Sequence, residues 1–464
     1  MRWQAGTYSE AMDFLFGRIN YERLQIGTFS SADLKLQCMQ ELLLRLDSPH
    51  EQTPAIHVAG TNGKGSTAAM LASIFSSAGF TTGLFTSPHI RRFEERLQVN
   101  GAEPDAAQMI DLINRVAAVA LEMEANDPRN SPTFFEIATA MGWLHFRDCG
   151  VTIGVVEVGL GGRLDSTNVC HPQASVITNI SLDHTQLLGE SLEEITREKA
   201  GIIKTGVPVV CGIQQPELQD IVADRCRRQE ADLYLLNKEI TYEFQNLGDT
   251  TTGLYGTVDV QSPWGSHAEL PLTLAGQHQA QNAALAIATA DLIRSQRPFP
   301  HTAIRSGMSA VGWPMRIEVV RRNPTVILDS AHNSDSIRSL IDTLDSCFPS
   351  RRRILIFATS RDKCIEDMLP QLFRAFDTVI LTEHGLKPRS IPLAELEQIG
   401  RQYGTAHVET AARPQQAWAA VERLAEPSDL ICITGSFFLA AEMGGLLAQQ
   451  RSSLSTSASQ STTG

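Results

Sequence analysis

The sequence predicts an α/β fold in two parts. The first is a P-loop nucleotide-binding domain with a mostly parallel sheet and a small antiparallel insertion. The second is a smaller, Rossmann-like α/β domain. Three observations carry this. The stretch PAIHVAGTNGKGSTAAMLASIF, residues 54 to 75, reads as strand, glycine turn and helix. The run VTIGVVEVG, residues 151 to 159, is continuously apolar, as in a strand covered on both faces. Beyond residue 316, four further apolar runs alternate with helical stretches, the pattern of a second parallel sheet.

Taken in order, residues 8 to 46 read as two helices around a polar link, INYERLQIGTFSS. After the glycine turn and its helix, TTGLFTSPH (81 to 89) is a second strand, ending in a hydroxyl, a proline and a histidine. Asp105 to Glu124 repeats apolar residues at helical spacing. A proline-containing loop leads to a helix beginning near Thr133. ASVITNI is a strand that ends at SLDHT, and a helix from Leu192 to Lys204 precedes the strand VPVVCG. From residue 240 to 274, short alternating runs with Gly and Pro mark the antiparallel insertion. Helix Gln277 to Arg294 closes the first part, and SAVGWPMR (309 to 316) is the linker. TVILDS, RRILIFATS, DTVILTEH and DLICITGS are the strands of the second part. The domains expected are therefore 1–312 and 313–450, with 451–464 a low-complexity, disordered tail.

Composition narrows the function. A chain of 464 residues has length for two or three domains. Hydrophobic content of 42% and charge of 20% are those of a soluble globular protein. No apolar run approaches the ~18 residues of a membrane span. The start lacks the apolar core of a signal segment. With 39 basic against 52 acidic residues, the net charge of −13 argues against nucleic-acid or membrane-surface partners. Eight scattered cysteines without a C-x-x-C fit buried, reduced thiols in a cytoplasmic protein.

The chemistry starts at Gly60, Thr61, Asn62, Gly63, Lys64, Gly65, Ser66 and Thr67. Glycines let the backbone wrap a phosphate, helix-start N–H groups point inward, and one lysine adds charge. The loop is shorter than G-x-x-x-x-G-K-[ST], and Gly65 separates Lys64 from the first hydroxyl. In open α/β sheets ligands bind outside the carboxyl ends of strands, which selects Lys64, Ser87, His89, Glu157, Asp183 and His184. These suit a magnesium–phosphate site, because Mg²⁺ takes oxygen ligands and shares them with phosphate and water. Glu157 follows GVV in a buried strand, where a carboxylate needs a partner or a metal. Ser87 could equally begin a turn, and His184 cap a helix. Thr133 and Glu136 fit a capping box as well as a substrate role for Phe134 and Phe135. Lys199 would be a solvated helix lysine, a phosphate or metal neighbour, or an amine that takes up CO₂ to become an anionic metal ligand. Asp329 and His332 end the first strand of the second part, just past Arg316, an arginine suited to phosphate charge.

GTNGKGS, TSPHI with FEERLQVNG, TFFE, EVGLGGRLDSTN, TNISLDHTQLLG, REKAGIIK, GQHQAQNA, WPMR and LDSAHN occur here in one order, from about residue 10 to about 440. Together they resemble the folylpolyglutamate synthase/dihydrofolate synthase family of the Mur-ligase superfamily. The resemblance implies an ATP-dependent ligase that phosphorylates a folate-type carboxylate and lets L-glutamate attack the acyl phosphate. It implies that residues 60 to 67, Asn282, Arg316 and Asp329 meet ATP, with Lys64, Lys199 and His332 in the catalytic machinery. It implies two Mg²⁺, the first on Ser87, Glu157 and His184 and the second served by a carbamylated Lys199. His332 would lie at the interface with the second domain. Phe134, Phe135, Gly161, Gly162, Arg163, Leu164, Asp165, Thr167 and Asn168 would adjoin the pterin end of the substrate. The substrate is dihydropteroate, a reduced folate, or both, and a monomer is expected. The chain departs from the family pattern at Met315 and Ser330, where glycines are usual, and at Cys364 in Asp362-Lys363-Cys364.

A muramyl-peptide ligase or another Mur-type amino-acid ligase is the alternative, but those usually place threonine directly after the loop lysine. A GTPase would need N-K-x-D, and the nearest string, Asn237-Lys238-Glu239-Ile240, fails at its last position. A binding protein without activity would be expected to have lost Lys64, Glu157, His184 or Lys199, and all remain.

Overall fold

The computed structural model describes residues 3–22, 36–250, 252–386, 389–403 and 407–460. The chain forms two compact units. The first comprises Met1–Gln245, Gly256–Thr273 and His278–Gly312; the second comprises Asn246–Tyr255, Leu274–Gln277 and Trp313–Gly464. The division is not the single break after residue 312 that the linker suggested. The loop Asn246–Tyr255 and the short Leu274–Gln277 belong to the second unit, whose core includes Tyr255 and Ala275.

In the first unit, β1 (Ala55–Ala59), β2 (Thr82–Phe85), β3 (Leu97–Val99), β4 (Ile153–Glu157), β5 (Ala174–Ile177), β6 (Val209–Cys211) and β7 (Leu233–Leu235) form one sheet. Its order is β3-β2-β4-β1-β5-β6-β7. Only the β2–β3 pair is antiparallel. Every residue of β1 and β4 is buried, as an all-apolar parallel strand requires. The register sets Val58 beside Glu157 and Ala59 beside Ile177, so the turn after β1 emerges between the carboxyl ends of β4 and β5. Helix Gln277–Gln296 is buried nearly all round, through Ala280, Ala283, Ala284, Ala286 and Ala288 among others. Such a helix is internal, and its small side chains let neighbours approach closely.

The insertion is a three-stranded antiparallel sheet of β8 (Thr241–Asn246), β9 (Gly256–Ser262) and β10 (Gly265–Leu272), in the order β10-β9-β8. The second unit holds β11 (Glu318–Arg321), β12 (Thr325–Leu328), β13 (Arg353–Phe357), β14 (Thr378–Leu381), β15 (His407–Thr410) and β16 (Leu430–Thr434). Their order is β11-β12-β16-β13-β14-β15, parallel except at β11. Asp329, Thr359 and Gly435 follow β12, β13 and β16, at the carboxyl edge of this sheet.

Three expectations change. The helix expected from Leu192 to Lys204 is regular only over Leu192–Lys199 and continues as a 3-10 turn, Ala200–Ile202. The closing helix runs Phe437–Gln460, so residues 451 to 460, assigned by composition to a disordered tail, continue it. Serine and alanine there lack a strong stop signal, neither Pro nor Gly. Residues 461 to 464, and residues 23 to 31 of the polar link, lie outside the described residues.

Candidate active site

The turn after β1 is built on glycines in backbone positions where a side chain would be strained. Gly60 (φ +150°) and Gly63 (φ +80°) adopt conformations that side chains resist. A Cβ on Gly60 would collide with Thr178 Oγ1, and one on Gly63 with the Asn282 amide. The loop is stitched to the segment after β5. Thr61 N donates to Asn179 O (2.9 Å), Asn62 N to Asn179 Oδ1 (2.8 Å) and Thr178 Oγ1 to Asn62 O (2.6 Å). Ser181 N donates to Thr61 Oγ1 (3.0 Å), which donates to Ser181 O (3.2 Å). Helix Lys64–Ser77 starts at Gly63 without a side-chain cap. Its first turn carries Ser66 and Thr67, whose buried hydroxyls find no hydrogen-bond partner among the described residues. An uncapped helix start over a glycine cradle, with buried unpartnered hydroxyls, fits a phosphate and its magnesium.

Two lysines bracket this loop. Lys64 Nζ donates to Thr61 O (3.1 Å) and Lys199 Nζ to Gly60 O (2.8 Å). Lys199 is buried (4% exposed), not solvated. Burial first, then the neighbouring Lys64 charge, lowers its amine to about 7, against the opposing pull of Asp183, Asp165 and Glu198. Glu157, at the end of β4, is 5% exposed, and its Oε2 accepts from Ser87 N (3.1 Å), so the TSPH turn rests on this carboxylate. His184 sits in the left-handed region (φ +50°) at the start of Thr185–Leu188, with its N–H on Asp183 Oδ1 (2.9 Å). Among the described residues no group of three or more His, Cys, Asp or Glu is close enough to hold a metal. A cation here would therefore draw most ligands from phosphate, water and hydroxyls, as Mg²⁺ does. The structure joins Ser87 to Glu157.

The LGGRLDSTN loop is held from inside. Buried Asp165 accepts from Leu160 N (2.8 Å), Thr167 N (3.0 Å) and Thr167 Oγ1. Burial raises its carboxyl, opposed by those hydrogen bonds. Asn168 Nδ2 donates to Arg163 O (3.0 Å) and Gly201 O (3.2 Å), and Thr167 Oγ1 meets His57 Nε2 at 2.9 Å. Asp165, Thr167 and Asn168, expected at the substrate, are thus buried braces, and Gly161 and Gly162 are buried as well. Arg163 is exposed, on Glu198 Oε1 (2.9 Å), and Leu164 is half-buried. Phe134 is a second correction. Its ring is fully buried, stacked on Phe16 (5.7 Å between centroids), so it packs the core. Half-buried Phe135 lies against Gly159, at the mouth of the loop. The capping reading of Thr133 and Glu136 holds: Thr133 Oγ1 accepts from Glu136 N (3.3 Å), and Glu136 Oε2 accepts from Thr133 N (2.8 Å).

Asn282 is buried in the internal helix, donating to Gln279 Oε1 (3.0 Å). In the second unit, buried Asp329 receives Ile317 N (3.0 Å) and Ala331 N (2.7 Å) and so ties the backbone just after Arg316 to that just after Ser330. Its carboxyl is raised, chiefly by burial. Arg316 donates to Met315 O (3.0 Å) and to the Ser330 hydroxyl, and His332 Nδ1 contacts Ser330 O at 2.8 Å. Met315 (φ +57°) and Ile317 (φ +52°) both stand in the left-handed region, so the first departure occupies a conformation suited to glycine. Sequence reasoning missed a cluster at the edge of β13 and β14. Arg389 reaches Asp362 (2.8 Å), Lys363 lies 3.6 Å from the same carboxylate, and His384 meets Ser360 (3.2 Å). The only signal was the Asp-Lys pair itself.

Residues 58–290 match the family described as the Mur ligase middle domain, and 315–437 the Mur ligase glutamate ligase domain. A folylpolyglutamate synthase of Lacticaseibacillus casei is 37% identical over 410 residues, 86% of this chain and 91% of that one. A dihydrofolate synthase/folylpolyglutamate synthase of Bacillus subtilis is 35% identical over 372 residues, 79% and 83% respectively. The chain belongs to the folylpolyglutamate synthase/dihydrofolate synthase family. Within that family, a Mycobacterium tuberculosis folylpolyglutamate synthase complexed with ADP superimposes with a TM-score of 0.86 at 30% identity, over 95% of this chain and 98% of that one. E. coli FolC in complex with DHPP and ADP gives 0.82 at 30% identity, over 97% and 100%. Among the described residues, no helix is long and apolar enough to cross a membrane.

Proposed function

We infer that this chain is an ATP-dependent ligase that joins L-glutamate to the carboxylate of a pterin or folate. The observation that carries the reading is the uncapped glycine loop, with Lys64 and buried Lys199 on its carbonyls, next to a strand-end Glu157 tied to the Ser87 turn. Two relatives of known structure were seen with ADP, one of them with DHPP as well. The γ-phosphoryl group passes from ATP to a substrate carboxylate oxygen, and ADP leaves. The glutamate amine then attacks the acyl carbon; a C–N bond forms, the C–O bond to phosphate breaks, and phosphate and a proton depart.

In this reading residues 60 to 67 cradle the β- and γ-phosphates, and Lys64 exchanges the Thr61 carbonyl for phosphate oxygen. Asn282 steadies the loop at Gly63. Ser87, Glu157 and His184 are the residues that would hold magnesium, which supplies charge neutralisation at the transferring phosphoryl group. With its amine near neutrality, Lys199 has an unprotonated fraction able to take up CO₂, which supports carbamylation and a second cation. Arg163, Leu164 and Phe135 line the approach to the pterin end. Arg316, Asp329 and His332 take the nucleotide and catalytic roles that the family resemblance implies, and the Lys363–Arg389 cluster suits a dicarboxylate amine such as L-glutamate. A reducing cytoplasm and a monomeric state complete the reading, in line with eight free thiols.

The test is ADP release by purified protein with MgATP and L-glutamate, supplying dihydropteroate or tetrahydrofolate separately. Release with both establishes a bifunctional enzyme. Glutamate-dependent release with neither would overturn the folate reading in favour of another Mur-type amino-acid ligase.

A further inference from the structure

The string FEERLQVNG takes no part in the mechanism above, yet its Arg96 is among the largest fully buried side chains. Its guanidinium forks onto Glu22, with Nη1 to Oε1 at 2.8 Å and Nη2 to Oε2 at 2.6 Å. Nε donates to His89 Nδ1 at 2.8 Å. The planar group lies 5.3 Å from the centre of the Phe134 ring and 5.7 Å from that of Phe93. Burying a guanidinium carries a desolvation penalty that an apolar side chain of similar size would avoid, so filling space does not account for an arginine. What only arginine supplies is a rigid, planar set of donors that fixes several partners at once. Because Nδ1 accepts, a neutral His89 carries its proton on Nε2, and the ring is held in one orientation.

Those partners come from three stretches. Glu22 lies in the polar link after the first helix, and Phe134 N donates to Ile19 O at 2.9 Å, which pins the start of that link on the start of helix Phe134–Asp148. His89 stands two residues beyond Ser87, whose N–H rests on Glu157. Phe134 is followed by Phe135, at the mouth of the LGGRLDSTN loop.

We propose that Arg96 is a positioning residue for the carboxylate-bearing substrate. It locks the TSPH turn and the Phe134–Phe135 helix start into one frame, and so sets where an aromatic pterin-type substrate lies relative to Ser87 and Glu157. This rests on the ligase reading given above.

Steady-state ADP release by the full chain tests it, with MgATP, L-glutamate and whichever pterin substrate the wild type turns over, in Arg96→Lys and Glu22→Gln. Lysine keeps the charge but cannot make the fork and the His89 bond together; glutamine keeps the shape but not the charge. The KM for the pterin substrate is expected to rise roughly tenfold or more in both, with the KM for ATP within about twofold of wild type. Equal rises in both KM values, or a rise in neither, would overturn the positioning role. If one variant fails to fold, the other decides. If both fail, His89→Asn, which breaks no ion pair, must give the pterin-specific shift or the proposal falls. A wild type whose ADP release needs no pterin overturns the ligase reading and this inference with it. Pterin-dependent wild-type turnover with unshifted variants overturns the inference alone.

Discussion

Lys64 and Lys199 reach neighbouring carbonyls of one loop, but their environments set them different tasks. In the ligase reading, partly accessible Lys64 is the side chain offered to phosphate. Lys64→Ala is therefore expected to lower turnover by at least about a hundredfold, and near-normal ADP release would refute this. Lys199 is buried, and its amine is lowered to about 7 from 10.5. The folded state thus binds fewer protons than the unfolded state between these values, and stability rises with pH across that window. Below about 7 the burial cost of the charged amine is fully present. A Lys199→Met variant removes it, so its advantage over wild type should shrink from pH 7 to pH 9, by up to about 1.4 kcal/mol per pH unit. Urea unfolding in bicarbonate-free buffer measures this; a constant gap would count against the assignment. The sequence singled out Glu157 because strand ends point to ligands. It left Lys199 open between a solvated lysine and a neighbour of phosphate or metal, and burial removes the first of these. What was illegible is which loop residues face inward. Asp165 and Phe134 look like site residues in a motif, and only packing reveals that one braces its own loop and the other fills the core.

At the scale of elements, the glycine turn is the least tolerant. Gly63→Ala places a Cβ against Asn282 at a backbone angle that alanine resists, a strain of about 1–3 kcal/mol. The KM for ATP should rise at least about tenfold while the variant remains folded; an unchanged KM would show that the loop does not cradle the nucleotide. The long apolar strands were readable because both faces are buried. The segments β7, β11 and β15 were not, being short and partly exposed at or beside sheet edges, where periodicity gives little to read. Helices Pro216–Arg228 and Thr302–Ala310 carry no site motif and were not read from the sequence.

For the molecule as a whole, a nucleotide that binds only the folded state must stabilise it. Saturating MgATP at about a hundred times its Kd should add about 2.7 kcal/mol to the unfolding free energy. Calorimetry reads this as a raised transition, and Lys64→Ala should show less of it. The broad architecture was legible because strands and helices alternate in two series, but the true partition was not. The chain passes back and forth between its two units before residue 313, lending Asn246–Tyr255 and Leu274–Gln277 to the second. Such threading has a consequence during synthesis. The first unit cannot finish until residues 278 to 312 have left the ribosome, by which time parts of the second are already waiting without their sheet. Nor is either unit a detachable module for exchange between relatives. A fragment beginning at Trp313 would leave Tyr255 and Ala275 behind and open holes in its own interior.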